Sequence, residues 1–139
     1  MKKIIVLFAV ILLFGCDDDT VSYNNPYLPN YSVNFTINLT LPYYSALNFA
    51  GNAVYVSTAG VGIRGIFVLN TGNGYTAFDA ACPNQPLSDC STMQLNGIMA
   101  ICPCDDAQYS LYTGIAEGKN YTLKPYRVEV NENILRIYN

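Results

Sequence analysis

The apolar positions of this chain fall into an unbroken N-terminal run, a polar stretch, and then a series of short bursts with a period of two. Ile4 to Phe14 is apolar throughout and follows the basic start Met1-Lys2-Lys3. From Tyr31 the pattern becomes strand-like. Val33, Phe35, Ile37 and Leu39 alternate with Asn34, Thr36 and Asn38, which predicts a strand with one buried face. Ala53 to Ser57 is a second candidate, and Gly65 to Asn70 a short apolar strand. Thr71-Gly72-Asn73-Gly74 predicts a hairpin turn, because Asn and Gly tolerate positive φ, and Tyr75 to Ala80 returns as its partner. A loop with two Pro and two Cys covers residues 81–92. Ile98 to Ile101 is a brief apolar run ahead of Cys102, and Ala107 to Leu111 leads into the turn Tyr112-Thr113-Gly114. Tyr126, Val128 and Val130 alternate with Arg127 and Glu129, and Asn131-Glu132-Asn133 turns the chain into Ile134 to Tyr138. No long amphipathic helix period and no repeat is visible. Many short strands at close spacing predict an all-β domain, a sandwich or small barrel.

The N-terminal run is shorter than the roughly 20 residues of a membrane-spanning helix. A basic start, a short apolar core and a small residue before the cut form a signal-peptide pattern. Leu13-Phe14-Gly15-Cys16 resembles a lipobox, in which Cys16 becomes the lipidated first residue of the mature protein. The expected division is a lipoprotein signal peptide at 1–15, a tether at 16–30 and a β domain at 31–139. The tether carries Asp17-Asp18-Asp19 and the turn-rich stretch Asn24 to Asn30. An acidic run directly after the lipidated Cys resembles the surface-export signal of Bacteroidetes lipoproteins. The reading is therefore a cell-envelope protein on the outer membrane, facing either periplasm or medium. Acyl chains on Cys16 would be its contact with the lipid bilayer.

Removing Lys2 and Lys3 leaves five basic against ten acidic residues, a net charge of −5. That argues against nucleic acid as a partner, since its binding needs clustered Lys and Arg. All twelve tyrosines lie after Cys16 and there is no Trp.

The cysteines and the missing histidines change the picture most. Four Cys follow Cys16, namely Cys82, Cys90, Cys102 and Cys104, and the chain contains no His. An even number of Cys in an exported domain suggests disulfides. Without His, Ser–His and Cys–His nucleophile pairs cannot be built, which leaves hydrolase and transferase chemistry without support. A Zn site would have to be Cys-rich, with spacing unlike a finger. Cys102-Pro103-Cys104 invites a thiol–disulfide reading, but Asp105 and Asp106 beside it raise a thiol pKa.

Two Cys-centred loops stand about twenty residues apart: Cys82-Pro83-Asn84, extended to Cys90, and Cys102-Pro103-Cys104-Asp105. The following stretch reads Tyr109-Ser110-Leu111-Tyr112-Thr113-Gly114, then Gly118, then Leu123-Lys124-Pro125-Tyr126-Arg127-Val128-Glu129-Val130. Over roughly residues 45–138 this resembles the Rieske family of iron–sulfur proteins. That family has a Cys-x-His loop, a Cys-x-x-His loop, an aromatic–x–hydrophobic–x–x–Gly segment and a proline-led final hairpin. The resemblance implies stacked antiparallel sheets or a small barrel, with a two-loop, cluster-binding type of tip over about residues 81–111. It places Cys82 and Cys102 at the thiolate positions of a [2Fe–2S] cluster, and Asn84 and Asp105 where the two His ligands belong. An Asn amide is a poor iron ligand, and an Asp carboxylate binds through hard oxygen. Cys90 and Cys104 match a second pair, which in the respiratory branch of the family forms a disulfide. Cys82 and Cys102 converge in the family fold, so without a cluster they are expected to oxidise to a second disulfide. The expected cofactor is none, with an altered [2Fe–2S] cluster as the alternative. The expected role is that of a binding or structural module in the envelope, not an enzyme, with electron transfer as the runner-up. Tyr109, Tyr112 and Pro83 are the candidate contact surface for a protein partner.

Overall fold

A computed structural model describes residues 23–139. The apolar run Ile4–Phe14, Cys16 and the acidic triad Asp17–Asp19 lie outside the described residues. Nine strands are present among those described: β1 Asn34–Asn38, β2 Ala53–Val56, β3 Ile66–Asn70, β4 Tyr75–Asp79, β5 Gln94–Asn96, β6 Met99–Ile101, β7 Gln108–Ser110, β8 Pro125–Asn131 and β9 Ile134–Tyr138. They form a six-stranded sheet in the order β1-β9-β8-β4-β3-β2 and a three-stranded sheet β5-β6-β7. Every pairing between them is antiparallel. This is the all-β, two-sheet architecture with a two-loop tip that the family resemblance implied.

The six-stranded sheet is narrow at its middle. β4 and β8 pair only through Ala77–Tyr126 and Phe78–Pro125. A strand that starts on Pro125 lacks one ladder donor there, which suits this short join. On one side lies the hairpin β8–β9 with β1, on the other the meander β2–β3–β4.

β3 explains why its sequence is apolar without alternation. Successive side chains on a strand point to opposite faces, and here both faces are covered. Ile66 and Val68 enter one core with Ile37, Leu135 and Ile137, while Phe67 and Leu69 enter a second core with Cys82, Cys102 and Tyr109. The first core fills the curl of the large sheet. The second lies between that sheet and the small one. The hairpin at 71–74 forms as the Asn/Gly pattern predicts, closed by the Thr71 N–H donating to the Gly74 carbonyl at 2.9 Å.

Two elements have no counterpart in the hydrophobic pattern. Pro42–Asn48 is a 3₁₀ helix that buries Leu47, too short to show a helical period. β5 is three residues long, with Leu95 half-buried between exposed Gln94 and Asn96.

One acid sits in the middle of this framework. Asp79 ends β4 and is 0% exposed. Its Oδ2 accepts from the Ile63 N–H at 2.6 Å and the Tyr126 hydroxyl at 2.7 Å. Its Oδ1 accepts from the Ala81 N–H at 2.8 Å and the Arg64 N–H at 3.3 Å. Burial pushes the carboxyl above its ordinary range, against these donors, which pull it the other way. Gly65 completes the turn beside it. Its φ is +91°, and a Cβ there would come within 2.6 Å of the Tyr55 ring and 2.7 Å of the Val56 carbonyl.

Asp79→Asn should destabilise the fold by about 1–3 kcal/mol, because an amide nitrogen would face donors that the carboxylate accepts. Urea denaturation with the disulfides intact measures this. An unchanged midpoint would show that the four donors find other partners.

Candidate functional site

The two Cys loops leave the sheets at adjoining points. After Asp79, the Ala80 N–H donates to the Gly65 carbonyl and the Cys82 N–H to the Ser91 carbonyl, both near 2.9 Å. The loop folds back through a bridge between Ala81 and Thr92. Ser91 is fully buried, and its Oγ accepts from the Ser88 N–H at 2.8 Å. The second loop joins β6 to β7. It is closed by hydrogen bonds of 2.9 Å from Cys102 N–H to the Ala107 carbonyl and from Asp106 N–H to the Cys102 carbonyl. Asp106 takes a left-handed φ of 57° to make that turn.

The loops are joined by two disulfides, Cys82–Cys102 with Cα atoms 5.6 Å apart and Cys90–Cys104 with Cα atoms 5.2 Å apart. The Cys82–Cys102 bond is buried in the tip core, each residue being 1% exposed. Cys90 is exposed and Cys104 half-buried. The two bonds lie side by side, with the sulfurs of Cys82, Cys102 and Cys104 all within 4.8 Å of one another. Polar groups reach the sulfurs. Gln85 Nε2 is 3.5 Å from Cys102 Sγ, and the Ser88 hydroxyl is 3.2 Å from Cys90 Sγ and 3.9 Å from Cys104 Sγ.

Asn84 and Asp105, the two residues that the family resemblance puts in place of His ligands, both turn to the segment 119–121. The Asn84 amide donates to the Tyr109 hydroxyl and the Tyr121 carbonyl, each at 2.8 Å, and accepts from the Tyr121 N–H at 2.9 Å. It thereby pairs with a main chain as another strand residue would. An imidazole has no adjacent donor and acceptor on one edge to repeat this. Asp105 Oδ2 takes the Lys119 ammonium at 2.6 Å, and Oδ1 accepts from the Ala107 N–H at 3.2 Å. Partial burial raises the Asp105 carboxyl, but the Lys119 hydrogen bond and charge and the Ala107 N–H together hold it below the usual carboxylate range. The Lys119 ammonium is raised by the same hydrogen bond.

A Rieske cluster does not fit these residues. The chain has no His, the Asn84 amide is committed at both ends, and the Asp105 carboxylate is engaged by a cation. What the arrangement can do chemically is thiol–disulfide chemistry, or thiolate ligation if the bonds are opened.

Residues 23–30, assigned to the tether from their turn-rich sequence, are docked against the domain. Asn25 is buried and donates to the Pro83 carbonyl at 2.7 Å. The Tyr23 hydroxyl donates to the Thr122 carbonyl at 2.5 Å, and burial pushes that phenol up to about 12. Lys124 is 2% exposed, yet its ammonium donates to Asn30 Oδ1 at 2.7 Å and lies 5.2 Å over the Tyr23 ring. Burial lowers the Lys124 pKa. A buried cation needs partners, and this segment supplies them. The lone Lys in Leu123-Lys124-Pro125 and the lone Asp ending an apolar strand were the available signals for Lys124 and Asp79; neither reveals burial by itself.

The contact surface expected from Tyr109, Tyr112 and Pro83 is corrected. Tyr109 is fully buried, where burial raises its phenol pKa, and Pro83 is also buried. Only Tyr112 is exposed, at 41%, alongside exposed Ile98 and Ile115. Gly114 brings that turn against the core: with φ at +75°, a Cβ there would lie 2.8 Å from the Phe78 ring.

Asn84→Ala should cost about 1–3 kcal/mol, because it leaves Tyr121's main chain and the buried Tyr109 hydroxyl without their partner. Chemical denaturation with intact disulfides reads the loss. The Asp105–Lys119 pair should give a pH signature. A carboxyl held low in the folded state adds stability above its unfolded pKa and loses it as pH falls through the folded value. Wild type should therefore exceed Lys119→Gln in thermal stability at neutral pH and converge with it in acid; a gap that persists in acid would contradict this.

No protein-family model matches the chain, and no curated protein matches it. Among solved structures it is similar to a chain of the complex of reduced oxygenase and oxidized ferredoxin in carbazole 1,9a-dioxygenase, at 22% identity over 67% of this chain and 86% of that one, with a TM-score of 0.46. It is also similar to the Sphingomonas yanoikuyae B1 ferredoxin, at 18% identity over 66% and 88% of the two chains, with a TM-score of 0.45. A third similar structure is the plasma membrane Rieske protein of Synechocystis PCC 6803, at 18% identity over 63% and 86%, with a TM-score of 0.47.

Proposed function

We propose that this protein is a lipid-anchored cell-envelope module built on a Rieske-like scaffold, in which two disulfides do the cross-linking that a cluster would do. Its role is to bind or to brace, not to carry electrons through iron. The observation that carries this reading is the fate of the two family His positions. Asn84 and Asp105 are both bonded into the 119–121 segment, so each has a structural task that ligation would break. Cys82, Cys90, Cys102 and Cys104 join the two loops in pairs. Anchoring through acylated Cys16 on the outer membrane belongs to the same proposal and rests on the lipobox-like sequence. Ile98, Tyr112 and Ile115 are the contact face it offers a protein partner. They share one corner of the small sheet, where the Leu111 N–H donates to the Ile98 carbonyl and the Ser110 N–H to the Ile115 carbonyl. Tyr favours interfaces because its ring is large and amphipathic.

A second reading, an altered iron–sulfur centre on thiolates, draws on the three sulfurs within 4.8 Å of one another. One experiment separates the two. Protein purified without oxygen should be colourless and iron-free, and a thiol count on unfolded, unreduced protein should find none from the four loop cysteines. Iron in proportion to protein with visible absorption, or two or more free loop thiols, would sink the disulfide reading.

A further inference from the structure

We infer that the two disulfides form a relay, in which the exposed Cys90–Cys104 bond gives an external dithiol its route to the buried Cys82–Cys102 bond. This rests on the disulfide-closed reading above and adds an activity to it.

Three observations point this way. The Cys82–Cys102 bond is 1% exposed at both residues, so no external thiol can line up with it. Cys104 Sγ, half-buried and bonded to exposed Cys90, lies within 4.8 Å of both buried sulfurs. Donors stand where thiolates would be released: the Ser88 hydroxyl at the outer pair and the Gln85 amide, 3.5 Å away, at Cys102. Exchange runs by thiolate attack on one sulfur with the other leaving, and it is faster when the leaving thiolate is stabilised. The acidic neighbours that the sequence set against such chemistry are partly answered, since Asp105 is paired with Lys119.

One thiolate of the dithiol attacks Cys90 Sγ, and the bonding pair passes to Cys104. The dithiol's second thiol then expels Cys90 and closes the donor's own disulfide. Cys104 thiolate attacks Cys82 Sγ, forming a Cys82–Cys104 bond and releasing Cys102 beside Gln85. A second dithiol attacks Cys104, frees Cys82 and is oxidised in turn. Two dithiols become two disulfides, and the protons they give up end on four protein thiols. The substrate class is thus a dithiol, on a small molecule or on a reductase able to reach Cys90.

The test compares variants of the full mature chain carrying Cys16→Ser, reduced under native conditions with dithiothreitol, quenched by alkylation and mapped by peptide mass. Cys90→Ser keeps the Cys104 thiol, whereas Cys90→Ser with Cys104→Ser removes it; both lack the outer disulfide, so their loss of stability is shared. The Cys82–Cys102 bond should open about tenfold or more faster in the single variant. Equal rates overturn the relay. With Cys104 present but Cys90 intact, Cys90 should be alkylated before Cys102, and the reverse order also overturns it. Iron content measured on the same protein keeps the two claims apart. Iron in proportion to protein removes the disulfide reading itself, while iron-free protein with equal rates removes only the relay.

Discussion

The carboxylate of Asp79 is the point on which the rest of the structure hangs. It holds the turn before β3 through Ile63 and Arg64, the strand β8 through Tyr126, and the start of the first Cys loop through Ala81. The large sheet is pinched where β4 meets β8, with two residue pairs only, so the Tyr126 contact braces the weakest join. The same side chain aims the chain into Cys82, three residues on. A neutral side chain could not satisfy four donors at once, and an unpaired donor at a buried site is expensive. The join between sheet and loops therefore requires an acid.

Beyond that junction the tip is stabilised in two ways. Its core is apolar, with Phe67, Leu69 and Tyr109 around the Cys82–Cys102 bond. Its loops are cross-linked over sequence separations of 20 and 14 residues. Closing loops of that length removes unfolded-chain entropy worth about 3 kcal/mol for one bond. Because the two loops overlap, the second adds less than the first. The small three-stranded sheet, with three residues in each strand, would be marginal alone; the cross-links and the shared core hold it.

Much of the framework was legible because it rests on short-range rules. Period-two alternation over 33–39 and 126–130, and the turns at 71–74 and 131–133, each carry their geometry in adjacent residues, and β1, β8, β9 and the β3–β4 hairpin formed where expected. The 3₁₀ helix Pro42–Asn48 was not visible, since seven residues hold too little of a period. The site was legible as to residue type but not as to environment. The Rieske resemblance implies that Asn84 and Asp105 fall where that family has its histidines, and says nothing of what surrounds them. That Asn84 pairs with Tyr121, 37 residues away, depends on tertiary folding. The same holds for Tyr109 and Pro83, expected on the surface and found buried, and for Lys124, whose burial requires a polar partner from the N-terminal segment.

The docking of that segment fixes more than a lysine. Tyr23 and Asn25 are fastened to Thr122 and to Pro83, next to Cys82, so the first described residues lie against the two-loop end of the domain. The first Cys loop and the N-terminal segment thus share one seat, so a shift at Pro83 also reaches Asn25 and, through that segment, the partners of Lys124.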